Sequence, residues 1–295
     1  MFQKNLLKDK VILITGGGTG LGRSMALGFA ELGADIAICG RRKDVLEEAA
    51  KEIEKVGAHS RAPVQVFYDT CDVRKPDEVE KMVDGVFKKF GRLSGLVNNA
   101  AGNFICPTEY LSPNGFDAIV KIVLYGAFNC TQAVGKRWIG AYTAGGPAAG
   151  GRVLSICTTY AWTGSAFVVP SACAKAGVLA MTQSLAVEWA KYKIRLNAVA
   201  PGPFKTEQAW NNLMPEGFEE KMLKRNPLGR TGKHEELANL ASYLMSDQAE
   251  YINGECVTID GGEWIQGAGE FNGLLDLTPE DWMKLKMKAE GMKKK

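Results

Sequence analysis

Short apolar runs alternate with amphipathic stretches along almost the whole chain, and this rhythm limits the fold more than any other feature. Val11–Thr15, Ala34–Cys39, Val64–Tyr68, Leu93–Val97, Arg152–Cys157, Arg195–Ala200 and Glu255–Ile259 read as strands. Between them, Gly20–Leu32, Lys43–Val56, Pro76–Phe90, Pro113–Ile139, Ser171–Tyr192 and His234–Met245 read as helices. In 43–56, Leu46, Ala49, Ala50 and Ile53 recur at helical spacing on one face. Pro76 opens its helix at the first turn, where a missing N–H costs nothing. Strands separated by helices of this length build βαβ units, hence a parallel sheet covered on both faces. The expected fold is one α/β domain over residues 1–262, a doubly wound parallel sheet with helices on both faces. Two stretches fall outside the rhythm. Gly140–Gly151 reads as a surface loop, and 263–295 as a tail with a short helix around Trp282, Leu285 and Met287, either frayed or a subunit contact.

With 46% hydrophobic residues among 295, the chain can bury a sizeable core. Its 36 basic and 33 acidic residues are scattered, leaving a net charge of +3. A nucleic-acid binder concentrates its basic charge in a patch, so that class is disfavoured. No run of eighteen apolar residues exists, and no transmembrane segment is expected. The seven cysteines form no CxxC pair and no metal-ligand spacing with the two histidines, so free thiols and no metal site are expected. Glycine is in excess, at 34 residues, which calls for tight turns or close backbone approach to a ligand.

Thr15-Gly16-Gly17-Gly18-Thr19-Gly20-Leu21-Gly22 joins the first strand to the first helix. A helix N-terminus offers unpaired N–H donors and the positive end of the macrodipole, which suits a pyrophosphate. A Rossmann-like nucleotide site is therefore expected, with Gly16, Gly17, Gly18, Thr19, Gly20 and Leu21 at the phosphates. Cofactor choice is read at the end of the second strand, where a carboxylate serves the ribose 2′-OH of NAD and an Arg accepts the 2′-phosphate of NADP. Here the residues are Cys39-Gly40-Arg41-Arg42. A guanidinium pairs bidentately with a phosphate, so NADPH is the expected cofactor, with Arg41 as first choice and Arg42 as second. Asp72, after the third strand, is placed to accept from the adenine amino group or to cap the next helix.

The glycine turn, Asn98-Asn99-Ala100-Ala101-Gly102 after the fourth strand and Pro201-Gly202-Pro203 after the sixth resemble the short-chain dehydrogenase/reductase superfamily. Its catalytic signature is Tyr-x3-Lys with a Ser thirteen residues before the Tyr. Lys175 is present here, but Ser171 stands at the Tyr position, Thr158 at the Ser position, and Tyr125 where many members carry Asn. A closer resemblance, to the 2,4-dienoyl-CoA reductase family, rests on Asn103-Phe104, Leu111-Ser112-Pro113-Asn114, Phe167-Val168-Val169-Pro170-Ser171-Ala172, Lys175-Ala176-Gly177 and Pro201-Gly202-Pro203-Phe204-Lys205-Thr206. Ile252-Asn253-Gly254 and Gly269-Glu270-Phe271-Asn272 extend it toward the C-terminus. In that family the tyrosine is moved to two residues after the Thr158 position, which is Tyr160 here.

This resemblance implies NADPH-dependent reduction of a 2,4-dienoyl-CoA to a 3-enoyl-CoA in unsaturated fatty-acid breakdown. Hydride goes to the δ-carbon and charge spreads over a dienolate. Tyr160 and Asn103 would donate to the thioester oxygen, Lys175 would hold the nicotinamide ribose, and Ser171 would support the site. Pro201, Gly202, Pro203 and Phe204 would hold the nicotinamide, with Thr206 as a further polar partner. Arg74, Phe104 and Ser112 match positions lining the acyl-CoA site. Asn212 stands where the family can carry an Arg for CoA, with Lys205, Lys221, Lys224 and Arg225 nearby as substitutes or as a solvated face. The family also implies a homotetramer and a mitochondrial or peroxisomal compartment. Two other readings stay open: a trans-2-enoyl-CoA or carbonyl reductase, and a catalytically silent NADPH-binding protein.

Overall fold

The structure, a computed structural model, describes residues 3, 5–58, 63–145, 150–206 and 217–292. Seven strands form one sheet: β1 Val11–Thr15, β2 Asp35–Gly40, β3 Val66–Thr70, β4 Gly95–Asn98, β5 Gly151–Ile156, β6 Ile194–Pro201 and β7 Cys256–Ile259. Their order is β3-β2-β1-β4-β5-β6-β7 and every pairing is parallel. β1 shows why its sequence has no polar alternation. Ile12 and Ile14 enter the core on one face, and Val11 and Leu13 enter the core on the other, as a sheet covered on both faces requires. The chain runs outward from β1 to β3, then returns to β4 on the other side of β1. That reversal opens a crevice at the carboxyl ends of the strands, where ligands of doubly wound sheets bind.

The helices that cover the sheet are α1 Gly20–Glu31, α2 Lys43–Gly57, α3 Pro76–Phe90, α4 Pro113–Val120, α5 Gly126–Thr143, the short α6 Tyr160–Thr163 and α7 Val169–Glu188. They are followed by α8 Phe218–Arg225, α9 His234–Met245, α10 Glu263–Ala268 and α11 Pro279–Met292. α3 stops where Gly91 adopts φ 71° and donates its N–H to the Phe87 carbonyl, the left-handed cap that glycine allows. Trp138 anchors α5 to the sheet by donating from Nε1 to the Leu93 carbonyl at 2.7 Å.

The long helix expected over Pro113–Ile139 is interrupted by one π-helical segment, Lys121–Tyr125, between α4 and α5. A π turn inserts an extra residue and rotates the side chains around it. Tyr125 is thereby 53% exposed, while Ile122 faces the crevice. α5 continues to Thr143, which shortens the expected Gly140–Gly151 loop; 146–149 lie outside the described residues. The run Pro113–Thr143 is long and apolar enough to cross a membrane, but half of its most apolar window is buried inside this fold. The tail holds two helices rather than one, and Trp264 of α10 packs edge-on against Trp162 of α6 at 5.9 Å. Lys293–Lys295 lie outside the described residues.

Packing alone requires a glycine at position 17. A Cβ there would lie 2.5 Å from Ile38 Cγ2 and 3.1 Å from the Ile14 carbonyl oxygen. Both atoms belong to strands that cannot retreat, so Gly17→Ala is expected to destabilise the fold by about 1–3 kcal/mol. Thermal denaturation of the variant beside the parent reads this.

Candidate active site

The crevice is a cleft of about 770 Å³. At its phosphate end, Gly16 and Gly20 adopt φ 66° and 53°, a region side chains disfavour, and Gly18, Thr19 and Leu21 line the wall with them. Thr19 is the N-cap of α1 but makes no side-chain cap bond. The first-turn N–H groups of α1 are thus left without a side-chain acceptor, which is the donor set a pyrophosphate uses. The turn is braced from β4. Asn99 Nδ2 donates to the Thr15 carbonyl at 2.9 Å and the Gly16 carbonyl at 3.2 Å. Thr15 Oγ1 accepts from the Asn99 and Ala100 N–H groups at 3.0 Å each. The Asn98–Gly102 motif is therefore a strut for the glycine turn.

At the adenosine end, Arg41 and Arg42 are exposed on the rim beyond Gly40. Cys39, Cys71, Val73 and Leu46 supply an apolar wall, a flat-ring environment with no motif of its own in the sequence. Asp72 lies at this end and is 9% exposed. Its carboxylate accepts from the Arg74 backbone N–H at 3.1 Å and from Arg74 Nε at 2.8 and 3.0 Å. The Arg74 guanidinium holds the Asp72 carboxyl below its usual range, with Arg41 adding to the effect. Arg74, expected at the acyl-CoA site, does not line the cleft: its guanidinium is committed to Asp72.

Asn103, Tyr160, Ser171 and Lys175, the residues expected at the reaction centre, all line the same cleft. Tyr160 opens α6, immediately after β5, and its Oη lies 3.0 Å from Ser171 Oγ in the first turn of α7. Burial raises the Tyr160 pKa, opposed by the hydroxyls of Ser171 and Thr158. Lys175 is 8% exposed; Nζ donates to the Ile156 carbonyl, leaving two further N–H donors. Burial lowers its pKa, with Cys157 opposing the shift. Asn103 accepts the Phe104 N–H on Oδ1 at 2.9 Å, which leaves its amide NH₂ as the donor toward the cleft.

Other expected contacts fall elsewhere. Pro201 ends β6, and Gly202 donates its N–H to the Ile259 carbonyl at 3.0 Å. Phe204, expected at the cofactor, is 6% exposed and turns into the core, where its ring fills the space beside Gly232. Pro203 and Phe204 line a separate pocket of about 110 Å³, and among the described residues of this loop Thr206 lines the cleft. Phe104 packs against the apolar cluster around Ile119, and Ser112 caps α4 by accepting the Gly115 N–H at 3.1 Å. Neither lines the cleft. Lys205 is ion-paired with Glu219, and Asn212 lies outside the described residues. Among the described residues no cluster of potential metal ligands occurs.

Comparison with known proteins gives this geometry a family. The model of the Enoyl-(Acyl carrier protein) reductase family matches residues 16–263. The chain is 46% identical over 264 residues to a Bacillus subtilis protein named probable 2,4-dienoyl-CoA reductase [(2E)-enoyl-CoA-producing], covering 88% of this chain and 98% of that one. It is 46% identical over 261 residues to a Caenorhabditis elegans protein named probable 2,4-dienoyl-CoA reductase 3 [(3E)-enoyl-CoA-producing], covering 87% and 81%. Neither name places its protein in the mitochondrion, and that expected compartment gains no support. A crystal structure of a Bacillus anthracis short chain dehydrogenase superposes with TM-score 0.76 at 47% identity, covering 86% of this chain and 96% of that one. A Burkholderia cenocepacia gluconate 5-dehydrogenase, solved with NADP and tartrate, superposes with TM-score 0.80 at 29% identity, covering 89% and 98%. A strand order that reverses beside a glycine turn and relatives alike in nearly half of their residues lead to one conclusion: the chain belongs to the short-chain dehydrogenase/reductase family of oxidoreductases.

Proposed function

We propose that this protein reduces 2,4-dienoyl-CoA thioesters with NADPH to 3-enoyl-CoA. The observation that carries this reading is the Tyr160 hydroxyl, held 3.0 Å from Ser171 beside a buried Lys175 and across the cleft from Asn103. A ketone reductase of this family uses a tyrosine at position 171 to protonate an alkoxide. Reduction of a conjugated thioester makes a delocalised enolate instead, so the site needs donors for an oxygen rather than an acid at that helical position.

The cleft fits a nicotinamide dinucleotide: a glycine turn with positive φ, uncapped first-turn N–H groups and two exposed arginines at the adenosine end. Gly16, Gly18, Thr19, Gly20 and Leu21 would hold the phosphates, Arg41 the 2′-phosphate, and Lys175 the nicotinamide ribose. When bound, NADPH supplies a hydride. Charge arriving at the δ-carbon of the diene spreads to the γ-carbon, the α-carbon and the thioester oxygen. The Tyr160 O–H and the Asn103 NH₂ donate to that oxygen and stabilise it as an oxyanion hole does. Burial keeps the Tyr160 phenol protonated for this role. Water at the open cleft delivers a proton to the α-carbon, which leaves a 3-enoyl thioester; protonation at the γ-carbon would leave a 2-enoyl thioester instead. The relatives' names divide between those two products, so the product decides between them.

The test follows NADPH absorbance with 2,4-hexadienoyl-CoA, 2-hexenoyl-CoA and a simple ketone, and identifies the thioester formed. Oxidation with the diene alone, giving the 3-enoyl product, is expected. Turnover of the monoene or the ketone would transfer the site to the other reductase readings. NADPH binding without any turnover would favour a silent binding protein.

The pH profile has a defined sign. Lys175 donates charge-assisted, and so stronger, hydrogen bonds to ribose hydroxyls when it is protonated, and burial holds its pKa below the ordinary 10.5. The charged form is therefore lost as pH rises through that lowered value, and cofactor binding weakens with it. Tyr160 titrates above its ordinary 10.0 and does not set this limb. The KM for NADPH is expected to rise on the alkaline side, and Lys175→Arg to shift that rise to higher pH. A homotetramer is also proposed. Tyr125 and Phe128, 53% and 45% exposed at the start of α5, support a buried subunit face there; sedimentation of the purified protein would give the mass.

A further inference from the structure

His234 opens α9, and its ring lies between α1 and the loop after β6, two elements distant in sequence. Nδ1 is 2.7 Å from Ser24 Oγ on α1. Nε2 is 2.6 Å from the Lys205 carbonyl oxygen, in the loop after β6. Ser24 Oγ is also 3.1 Å from the Gly20 carbonyl, one helical turn earlier. A carbonyl can only accept, so Nε2 carries a proton and donates to Lys205. The Ser24 hydroxyl has one proton and two candidate acceptors. With a neutral ring, Ser24 donates to Nδ1, the shorter contact. With a charged ring, Nδ1–H donates to Ser24 Oγ and the hydroxyl turns to Gly20. In both states the imidazole bridges α1 to the loop.

Each arm of this bridge ends next to a wall of the cleft. Gly20 and Thr206 both line it, and a Cβ on Gly20 would lie 3.4 Å from Thr206 Cγ2. The glycine turn and the loop after β6 therefore meet at Gly20 and Thr206, one residue beyond the carbonyl that His234 grips. The loop's other anchors point elsewhere. Phe204 pairs with Gly232 and is buried in the core, and Lys205 Nζ pairs with Glu219 on α8.

We propose that His234 is a positioning residue for the cofactor: it clasps the glycine turn to the loop after β6 and fixes the relative position of these two cleft-lining elements. This rests on the dinucleotide reading of the cleft. His234 itself does not line the cleft, so its effect passes through Gly20 and Thr206. A glutamine can reproduce the bridge, donating from its NH₂ to the Lys205 carbonyl and accepting from Ser24 on its oxygen. An alanine cannot.

The experiment compares the full-length parent, His234→Ala, His234→Gln and Ser24→Ala for NADPH affinity, kcat at saturating NADPH and melting temperature. NADPH affinity is read by titrating the fluorescence of the reduced cofactor. In His234→Ala the dissociation constant and KM for NADPH are expected to rise about three- to tenfold, the range for loss of one or two hydrogen bonds, with kcat within about twofold of the parent. Ser24→Ala is expected to fall between the two, and His234→Gln to restore NADPH affinity to near the parent. An unchanged NADPH constant in His234→Ala would overturn the proposal. So would a loss that His234→Gln does not repair, or one that follows a fall in melting temperature in all three variants. Failure of the parent itself to bind NADPH or NADH is a separate outcome, which removes the dinucleotide reading before the clasp is reached.

Discussion

Tyr160→Phe is expected to lower kcat on 2,4-hexadienoyl-CoA by about 10²- to 10³-fold, the loss typical of removing one oxyanion-hole donor. NADPH affinity should stay at the parent value. The substitution removes one O–H and keeps the ring, so the packing of α6 against α7 survives. It takes away the donor proposed for the thioester oxygen and the partner of Ser171 Oγ at 3.0 Å. Ser171 is a buried residue, 2% exposed, and is not expected to take over the donor's place. Stopped-flow measurement of a single turnover separates the chemical step from product release. Turnover within a few-fold of the parent would remove Tyr160 from the oxyanion hole and leave Asn103 as the remaining donor. Asn103→Ala on the same assay is then the natural second measurement.

Arg41→Ala is expected to weaken NADPH by about 10- to 100-fold, the range for charge-assisted bonds to a phosphate, and to change NADH by less than about twofold. The argument is electrostatic. β2 ends at Gly40, where a glycine carries no side chain to meet a ribose hydroxyl, and the two exposed guanidiniums follow it. The nearby carboxylate, Asp72, is neutralised by Arg74 and so does not repel a 2′-phosphate. Competitive binding of the two cofactors to Arg41→Ala and Arg42→Ala reads the contrast. Arg42 lies one residue further from the strand, at the N-cap of α2, and its loss should cost less. Equal weakening of NADPH and NADH by Arg41→Ala would mean that the residue acts on the cleft as a whole rather than on the 2′-phosphate.

The sequence by itself determined the parallel α/β sheet and the glycine turn, and it named the residues proposed for the reaction centre. Apolar runs such as 11–15 can be satisfied only by burial on both faces, and the βα rhythm then dictates parallel pairing. Tyr160, Ser171, Lys175 and Asn103 were legible through the motifs that carry the family resemblance, and all four line one cleft in the structure. The tertiary structure decided where the other side chains go. Phe204 follows the expected loop but turns inward, into space that the missing side chain of Gly232 leaves for its ring. Arg74 is drawn to the carboxylate two residues away instead of to the substrate. A single π segment in one continuous apolar helix turns Tyr125 out of the protein. His234 meets Ser24 across 210 residues, with no motif to announce it. Local periodicity and turn chemistry depend on neighbours along the chain, so a sequence can display them. Partners that meet through space depend on packing volume and on competition between donors and acceptors, which exist only once the sheet and its helices have assembled.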